Sequence, residues 1–528
     1  MEEKKTFYCT TPIYYPSGKY HIGTAYTEVL ADCVKKYKAE RGFDSYMLTG
    51  QDEHGQKIQN VAISRNMTPQ EHVDEMANTA IELWKKMEID YDDFIRTTEE
   101  RHMKVVKKVF NKLFEQGDIY KGEYEGWYCE PDEAYFTETQ IVDGKCPECG
   151  RPVKKMKEES YFFNMHKYQK RIEEFYEKNP DFIDPVSRKN EILSNFIKPG
   201  LEDLCITRTS FDWGIPIDQD PKHVIYVWLD ALLNYISALG YETEDDSKFK
   251  KYWPADVHFV GKDIIRFHGI YWPIFLMALD LPLPKKLFAH GWILMKDGKM
   301  SKSKGNVIYP ETLIDRYGLD ATKYYLLKAL QNGQDGIFTP EDFVEKFNSD
   351  LCNDLGNLLN RTIGMINKYF GGEIPEKIVG EKSDFDRQLE QFTQTEISII
   401  EKEWDRYNIN EGLSNIWKII SRANKYIDET MPWALYKEEK LDILGNTMYE
   451  LYETLRKIAI LIRPVLKHTS AEMLKQLNIE DEERTTWDST KQDYEYEGKK
   501  KVIEKGVPLF VRLDPEEEIK YIKEKMSK

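Results

Sequence analysis

The sequence has few cysteines, no long apolar run and no excess of positive charge. Seven cysteines among 528 residues are too few for a disulfide scaffold, and most are isolated in the sequence, which favours a reducing cytoplasm. No apolar stretch approaches the roughly 18 residues of a membrane span. The first residues contain no apolar core of a secretory signal. We therefore expect a cytoplasmic chain without a membrane partner.

The charge balance argues weakly against a nucleic-acid partner. The 92 acidic residues exceed the 75 lysines and arginines, and the formal net charge is −17. Binding of nucleic acid depends on where positive charge lies, so a local basic track would suffice for an RNA substrate. The length allows about three domains. The apolar content of 41% is typical of a globular protein.

The start of the sequence predicts the opening of a doubly wound parallel sheet. Residues 6–15 are aromatic and β-branched, which is typical of a buried strand. From Gly23 apolar residues recur at three- and four-residue spacing, which predicts a helix, and a second strand follows at 45–48. In such a Rossmann-type α/β fold ligands bind beyond the carboxyl ends of the strands, where residues 21–24 and Asp52 are expected.

Later parts of the sequence differ in pattern. Residues 117–222 hold paired cysteines and interrupt the α/β alternation, which indicates an insertion. Strand-like runs at 223–230 and 257–263 then resume the alternation. From about residue 350 onward helical periodicity dominates, at 351–369, 385–407, 411–430 and 442–472.

Two segments are suited to handling phosphate groups. His21-Ile22-Gly23-Thr24 lies at the start of the first predicted helix, where unpaired N–H groups bind phosphate and glycine permits a close approach. Lys299-Met300-Ser301-Lys302-Ser303 follows the strand-like run 288–295 and a turn at Asp297-Gly298, and it gathers positive charge suited to a triphosphate. Each segment alone has a simpler explanation: His21 caps a turn, or the lysines form a solvated run like that at 525–528.

Together, and in this order, the two segments closely resemble the signatures of class I aminoacyl-tRNA synthetases. The resemblance implies that ATP and an amino acid form an aminoacyl-adenylate. The family's first motif usually ends in a second histidine, whereas here Thr24 stands, and its hydroxyl can donate to phosphate but carries no charge. The implied catalytic residues are His21, Thr24, Lys299 and Lys302.

Four further segments, at 10–16, 48–58, 226–241 and 259–273, resemble the methionyl branch of that family. The implied methionine site consists of Ile13, Tyr15, Asp52, Trp228, Leu232, Tyr235, Ile264 and His268, with Asp52 on the α-ammonium group. The implied ATP site consists of His21, Gly23, Gly261, Asp263, Ile293 and Lys302, with Asp263 on the ribose. A thioether gains from aromatic contacts, and a seven-residue spacing places Trp228 and Tyr235 on one helix face. Spacing alone would equally fit core packing.

The insertion carries one Cys-x-x-Asp pair and one Cys-x-x-Cys pair. Cys129, Asp132, Cys146 and Cys149 are candidate ligands of one structural Zn²⁺ ion, since aspartate can ligate zinc beside three thiolates. Enzymes of the methionyl branch often carry such a knuckle, which supports a Cys3Asp site. The alternative is a degenerate site that binds metal weakly or not at all.

Asn353, Asn357 and Arg361 recur every four residues on a predicted helix and so share one face. Amides and a guanidinium can read base edges, and an aromatic side chain such as Trp433 can stack on an unpaired base. These positions match the anticodon-reading residues of the methionyl branch, which recognise CAU. From spacing alone, packing or surface roles would fit as well.

The resemblance as a whole implies an ATP- and Mg²⁺-dependent ligase that activates L-methionine and transfers it to the 3′ end of tRNA(Met) for translation initiation and elongation, without an obligate protein partner. The implied domains are the two halves of a Rossmann catalytic domain (1–116 and 223–295), a connective insertion with a metal knuckle (117–222), a lysine-loop and stem-contact region (296–349), and a helical-bundle anticodon domain with a C-terminal helix (350–528). Two other hypotheses stay open at this point. A nucleotidyltransferase with a small-molecule acceptor would not need the helical domain, and a non-catalytic RNA-binding relative would lack the lysine loop.

Overall fold

The computed structural model describes residues 4–136, 138, 140–300, 305–329, 333–376, 378–496 and 500–526. The chain divides into two compact units. The first, here called the sheet unit, comprises Met1–Tyr20 with Asp44–Gly291. The second, the helical unit, comprises His21–Phe43 with Trp292–Lys528.

The strands, in chain order, are β1 (Thr6–Tyr14), β2 (Asp44–Gln51), β3 (Asp93–Arg96), β4 (Ile119–Cys129), β5 (Ala134–Phe136), β6 (Lys154–Phe163), β7 (Ile183–Asp184), β8 (Leu204–Cys205), β9 (Thr207–Arg208), β10 (Val224–Ile225), β11 (Val257–Gly261), β12 (Leu287–His290), β13 (Ile293–Leu294) and β14 (Gly336–Ile337).

The α-helices are α1 (Ile22–Glu40), α2 (Gln56–Ser64), α3 (Pro69–Lys86), α4 (Glu100–Glu115), α5 (Gln169–Lys178), α6 (Val186–Ile192), α7 (Val227–Leu232), α8 (Asn234–Ser237), α9 (Ser247–Tyr252), α10 (Trp272–Ala278), α11 (Pro310–Tyr317), α12 (Leu319–Ala329), α13 (Pro340–Lys346), α14 (Asn357–Phe370), α15 (Asp384–Asp405), α16 (Ile409–Thr430), α17 (Pro432–Lys437), α18 (Leu441–Ile462), α19 (Lys467–Gln476) and α20 (Pro515–Met526). Segments of π-helix occur at Leu193–Ile197, Phe267–Tyr271 and Phe347–Gly356.

A six-stranded parallel sheet forms the centre of the sheet unit, in the order β3-β2-β1-β11-β12-β7. In the central strand β1, Cys9 pairs with Met47 of β2 on one side and with Val257 of β11 on the other. The chain runs outward from β1 to β2 and β3 and later returns on the other side as β11, so the strand order reverses beside β1. Ligands bind at such a switch point, beyond the carboxyl ends of the strands. The predicted doubly wound α/β fold is confirmed.

The insertion forms a separate antiparallel sheet in the order β5-β4-β6-β8. Its long pair β4 and β6 runs from Ile119 opposite Phe163 to Tyr128 opposite Lys154. β7 also lies inside the predicted insertion, but it joins the edge of the parallel sheet beside β12. The boundaries of the predicted domains stay predictions.

The strand predicted at 223–230 is wrong for most of its length. Only Val224–Ile225 forms a strand, and a helix begins at Val227. The segment is rich in aromatic and β-branched residues, which favour strands, but tertiary packing overrides that preference. The backbone N–H of Asp230 donates to the carbonyl of Tyr226 and closes the first helical turn. Trp228 and Tyr235 therefore lie on two consecutive short helices, α7 and α8, rather than on one.

The other strand predictions fared better. The run at 257–263 is confirmed as β11. The run at 288–295 holds two strands, β12 and β13, which are separated at Gly291. Glycine at that point weakens a continuous strand because it has no side chain to pack.

The helical unit is built on α15, α16 and α18, which pack side by side. Gly412 allows a close approach in this core, because a Cβ atom there would lie 1.9 Å from the indole nitrogen of Trp404. Helix α1 belongs to the same unit, where Tyr37 packs edge-on against Trp404 and Trp487, with ring centroids 5.3 and 4.9 Å apart. Among the described residues, no helix is long and apolar enough to cross a membrane.

Two helix predictions in this unit need correction. The helix predicted at 442–472 is two helices, α18 and α19, with Pro464 between them. Proline breaks a helix because it lacks an N–H and its ring clashes with the preceding turn. The helix predicted at 351–369 begins as the π-helix Phe347–Gly356 and becomes α-helical only from Asn357.

Candidate functional site

Asp52 lies immediately beyond the carboxyl end of β2, in the sheet unit. It is 7% exposed, and its Oδ1 atom is buried without a hydrogen-bond partner among the described residues. Its backbone N–H donates to the carbonyl of Tyr14 at the end of β1, which fixes the turn to the central strand. A buried carboxylate oxygen without a partner is costly, so this arrangement suits a cationic ligand group.

The electrostatic surroundings of Asp52 are acidic. Burial raises its pKa well above the usual value, and the negative charges of Asp230, Glu133 and Glu53 raise it further. Burial likewise raises the pKa of Glu133 to about 7. An ammonium group placed here would relieve the repulsion between these carboxylates, since an opposite charge favours their ionised forms.

The predicted apolar part of the methionine site is assembled around Trp228. Its indole stacks on Phe267, with ring centroids 3.6 Å apart and an interplanar angle of 7°. The ring of His268 lies edge-on to Trp228 at 6.3 Å. Leu232 and Tyr235 are 1% exposed, and the half-buried Ile13, Tyr15 and Ile264 pack against the same core. All eight residues predicted to bind methionine thus lie in the sheet unit.

His268 is held in one tautomer. Its Nδ1 lies 3.0 Å from the carbonyl of Ile264, to which it donates, so Nε2 accepts from the Tyr235 hydroxyl at 2.7 Å. Burial lowers the pKa of His268 to about 4, which keeps the ring neutral. A neutral, fixed imidazole beside two aromatic rings suits an uncharged thioether better than a charged side chain.

The predicted ribose site lies at the end of β11. A Cβ atom on Gly261 would lie 2.5 Å from Oδ1 of Asp263, so only glycine allows the carboxylate to lie against this backbone. Asp263 is exposed, which leaves its carboxylate accessible to a ligand. His290 of β12 pairs with Gly261 in the sheet, and burial lowers the pKa of His290. His290 is a neighbour of this site that the sequence did not single out.

In the helical unit, His21 is the N-cap of α1. Its Nδ1 accepts the backbone N–H of Gly23 at 3.0 Å, so a neutral ring carries its proton on Nε2. The capping explanation and the phosphate explanation are therefore compatible, because the cap uses Nδ1 whereas the donor atom of the ring is Nε2. A Cβ atom on Gly23 would lie 2.9 Å from the ring of His21, which accounts for glycine here. Thr24 follows, half-buried, in the first helical turn.

The lysine segment begins with a tight turn. Met295 and Gly298 exchange two backbone hydrogen bonds of 2.8 and 2.9 Å, as predicted for a turn at Asp297-Gly298. The ammonium of Lys299 lies 3.4 Å from the ring centre of Trp292, and Ile293 is buried in β13. Lys302 lies outside the described residues, so its predicted role stays a prediction.

The four predicted metal ligands come together. The ligand atoms of Cys129, Asp132, Cys146 and Cys149 all lie within 4.8 Å of one another. The Asp132 carboxylate lies 3.3 Å from the sulfur of Cys129 and 3.1 Å from that of Cys146, and the Cys129 and Cys149 sulfurs are 3.6 Å apart. Tetrahedral zinc with thiolates at about 2.3 Å needs sulfurs about 3.8 Å apart, so the group fits such an ion.

A second group, Glu159, Asp220 and His223, is equally compact. The ammonium groups of Lys121 and Lys222 each lie 3.0 Å from the Glu159 carboxylate. Two ammonium groups already balance these acids, so we do not assign a metal to this group.

Three of the four predicted RNA-reading residues are exposed, in contrast to the pocket residues, and Arg361 is half-buried. Asn353 and Asn357 are exposed, and Asn353 accepts a hydrogen bond of 3.1 Å from Arg512. Arg361 forms an ion pair of 3.0 Å with Asp428 of α16. Trp433, near the start of α17, is 49% exposed. An exposed indole on a helix end is suited to stacking on an unpaired base.

Comparison with known proteins decides the family. The family model "tRNA synthetases class I (M)" matches residues 7–154 and 150–363, and the model "Anticodon binding domain of methionyl tRNA ligase" matches residues 374–523. The methionine–tRNA ligase of Bacillus subtilis (strain 168) is 57% identical over 538 aligned residues, which cover 100% of this chain and 81% of that protein. This chain belongs to the methionyl class I tRNA synthetases.

Other relatives agree with this family. Methionine–tRNA ligase 1 of Bacillus anthracis is 56% identical over 537 residues, covering 100% of this chain and 81% of that protein. The solved structure of Mycobacterium tuberculosis methionyl-tRNA synthetase in complex with methionyl-adenylate has a TM-score of 0.90 and 36% identity, and it covers 96% of this chain and 100% of that chain. The predicted resemblance to the methionyl branch is thereby confirmed.

Several residues around the site of this methionyl synthetase were not singled out from the sequence. Phe267 and His54 stand inside the segments that carried the resemblance, directly beside His268 and two positions after Asp52. Their closeness in the sequence to His268 and Asp52 could have indicated that they lie near the site. Asp230 and Glu133 come from distant parts of the sequence, and only the fold brings them towards Asp52. Nothing in their spacing could have indicated this.

Proposed function

We propose that this chain activates L-methionine with ATP and transfers it to the 3′ end of tRNA(Met), for translation initiation and elongation. The observation that carries the proposal is the buried Oδ1 of Asp52, which has no hydrogen-bond partner in the described part of the chain and lies in the same unit as the stacked Trp228 and Phe267. A carboxylate for an ammonium group and aromatic faces for a thioether are the two features that a methionine site needs.

In the first step, the carboxylate of methionine attacks the α-phosphorus of ATP, the bond to pyrophosphate breaks, and methionyl-adenylate forms. Asp52 orients methionine through its ammonium group. Asp263 holds the ribose. His21, Thr24, Lys299 and Lys302 bind the phosphates and stabilise the charge that develops on them. Mg²⁺ bound with ATP would neutralise part of the phosphate charge. These roles rest on the resemblance and on the placement of each residue within its own unit.

In the second step, a terminal ribose hydroxyl of the tRNA attacks the activated carbonyl, and AMP leaves. We propose that Asn353, Asn357, Arg361 and Trp433 read a CAU anticodon. The exposed amides and the half-buried guanidinium can pair with base edges, and Trp433 can stack on a base. The function needs no further protein partner and fits a cytoplasmic enzyme. We also retain the predicted domain limits, with the anticodon domain at 350–528.

We propose that Cys129, Asp132, Cys146 and Cys149 hold one Zn²⁺ ion with a structural role. The compact Cys3Asp group supports this, because three thiolates and one carboxylate complete a tetrahedral shell and leave no open position for a substrate. The bound ion would stabilise the part of the insertion that follows β4, which ends at Cys129.

The function is tested by ATP–pyrophosphate exchange with each of the twenty amino acids separately, followed by charging of tRNA transcripts. Methionine is expected to support exchange well above every other amino acid, and a transcript with a CAU anticodon is expected to accept it. No exchange with methionine, or equal exchange with leucine, would refute the proposal. Comparing CAU with GAU transcripts tests anticodon recognition independently of the first step.

A further inference from the structure

A chain of buried hydrogen bonds lies behind the Asp52 turn. His54 Nδ1 lies 2.7 Å from Asp230 Oδ2, and the other oxygen of Asp230 lies 2.7 Å from His102 Nε2. His102 Nδ1 in turn lies 2.7 Å from the hydroxyl of Ser237. Asp230 and His102 are fully buried, and His54 is 4% exposed. Nothing in the reaction described above uses these groups directly.

The charge state of this chain is set by its geometry. Burial alone would raise the pKa of Asp230, but its interactions with His54 and His102, which include a hydrogen bond with each, lower that pKa below its usual value. Asp230 is therefore ionised and accepts from a histidine on each side. With Nε2 of His102 donating to Asp230, its Nδ1 is free to accept from the hydroxyl of Ser237. Each of these three hydrogen bonds then joins one donor to one acceptor.

The chain joins the two halves of the proposed methionine site. Asp230 lies on α7 between Trp228 and Leu232, which belong to the apolar half. His54 lies two residues after Asp52, which belongs to the ammonium half. His102 and Ser237 connect the same carboxylate to α4 and α8. A single buried carboxylate thus sets the position of the Asp52 turn relative to α7.

The turn has further supports, on the Glu53 carboxylate, which accepts from Arg96 Nε at 2.6 Å, and on the backbone. The Tyr15 hydroxyl donates to the carbonyl of His54 at 2.9 Å, and the Trp213 indole donates to the carbonyl of Glu53 at 2.6 Å. Gly55, with φ of +114°, lets the chain pass close to Tyr15, because a Cβ atom there would lie 2.4 Å from that hydroxyl. Among the described side chains of the turn, His54 makes the contact that reaches α7.

We propose that His102, Asp230 and His54 are positioning residues that hold the Asp52 carboxylate at the right place for the α-ammonium group of methionine. The inference rests on the proposed function and deepens it. An error of about 1 Å in the placement of a group that orients the substrate can cost as much as 10²-fold in rate. Loss of the hydrogen bond from His102 to Asp230 should therefore weaken binding of the ammonium group and leave the apolar contacts with methionine unchanged.

The test breaks the series of hydrogen bonds at His102, the histidine that is farther from Asp52 in the series. His102→Leu removes the donor to Asp230, whereas His102→Gln keeps an N–H at the position of Nε2. For each variant, KM for methionine, KM for ATP and kcat are measured by pyrophosphate exchange. Inhibition by 4-(methylsulfanyl)butanoate, which is methionine without its α-amino group, is measured in parallel.

For His102→Leu we expect KM for methionine to rise about tenfold or more, because one hydrogen bond to a charged group is lost. The inhibition constant of the analogue and KM for ATP should change less than about twofold, since neither ligand carries the ammonium group. His102→Gln should restore KM for methionine to near the wild-type value. Equal weakening of methionine and analogue would reduce the chain to a structural role and overturn the proposal, as would an unchanged KM for methionine.

Two further variants keep the test decisive. If His102→Leu does not fold, Ser237→Ala removes the last hydroxyl of the chain more gently and should shift the methionine-to-analogue ratio in the same direction by severalfold. Asp256→Asn is the matched control, because Asp256 is an acid in the same unit that accepts from the backbone N–H of Tyr8 and pairs with Lys285. It should lower the melting temperature without changing that ratio.

The inference and the proposed function fail in different ways. If the wild-type protein gives no exchange with methionine, the function fails before any variant is made. If the wild type is active and selective for methionine, but the ratio of methionine to analogue is the same in all variants, only the positioning role fails.

Discussion

The proposed methionine site and the proposed anticodon surface are built in opposite ways. In the sheet unit, Leu232 and Tyr235 are 1% exposed and Asp52 is 7% exposed, with hydrogen bonds that fix the neighbouring backbone. In the helical unit, Trp433 is 49% exposed and Arg361 forms an ion pair with Asp428. The small substrate would be enclosed, whereas the large one would be met at a surface.

The difference follows from the size and charge of the two ligands. A methionine side chain offers little beyond its apolar area and one ammonium group, so discrimination requires a pocket whose parts are fixed before binding. An anticodon loop offers several base edges and faces, so exposed amides, a guanidinium and an indole can each contribute a modest share. Changing one group of the methionine site should therefore cause a large loss of kcat/KM, whereas changing one group of the anticodon surface should cause a smaller loss.

The largest expected effect is at Asp52. Asp52→Asn keeps the shape of the side chain but removes the charge opposite the ammonium group, and breaking such a buried pair costs about 4 kcal/mol, or about 10³-fold in kcat/KM for methionine. Pyrophosphate exchange at varied methionine concentration measures it. Asp218→Asn, on an exposed aspartate of the same unit, should leave exchange unchanged. A loss below tenfold at Asp52 would contradict the enclosed-site view.

A smaller effect is expected at Trp433. Trp433→Ala removes one stacking surface, which for unpaired bases is worth about 1–3 kcal/mol, so kcat/KM for tRNA charging should fall about 10- to 100-fold. Pyrophosphate exchange without tRNA should not change. Tyr436, a second exposed aromatic of the same short helix that already stacks on Tyr369, is the matched control. Equal losses at Tyr436→Ala and Trp433→Ala would mean that the surface does not single out Trp433.

The metal group should matter for the integrity of the sheet unit more than for either ligand. Cys149→Ser is expected to reduce bound zinc, measured by mass spectrometry of the metal content, from about one ion per chain to nearly none, because a structural site needs its four ligands. Methionine activation should fall less than in Asp52→Asn. Asp132→Cys, which gives four thiolates, should keep the metal. Full zinc occupancy in Cys149→Ser would refute the assignment.

Features that depend on neighbouring residues could be predicted from the sequence, whereas contacts between distant residues could not. The turn before α1, the parallel sheet and the cluster of four candidate metal ligands were predictable because each depends on residues close together in the sequence or on a regular period. The strand predicted at 223–230 was wrong because its aromatic and β-branched residues are buried in a short helix instead. Residues such as Asp230, His102 and Glu133 could not be found, because their partners lie 76 to 176 positions away and are joined only by the fold.

The smallest expected effect is that of pH on ligand affinity. It should appear at the proposed methionine site and not at the proposed anticodon surface. Burial, with the nearby carboxylates, raises the pKa of Asp52, and burial raises that of Glu133 to about 7, so protons must leave this cluster before an ammonium group can pair with it. Methionine affinity should therefore fall severalfold between pH 8 and pH 6, and binding should release protons, measured by calorimetry in two buffers of different ionisation enthalpy.

The same raised pKa has a consequence for stability, with the opposite sign. The folded protein holds protons on Asp52 and Glu133 that the unfolded chain releases near pH 4 to 5, so this contribution to stability is present at low pH and is lost as the pH rises towards about 7. Glu133→Gln should remove part of that dependence from the melting temperature of the ligand-free protein.

At the anticodon surface, the decrease in kcat/KM for tRNA charging caused by Trp433→Ala should be the same at pH 6 and pH 8, since stacking involves no titrating group. A methionine affinity that does not change with pH would contradict this difference between the two sites, because the acidic cluster around Asp52 would then be ionised before methionine binds.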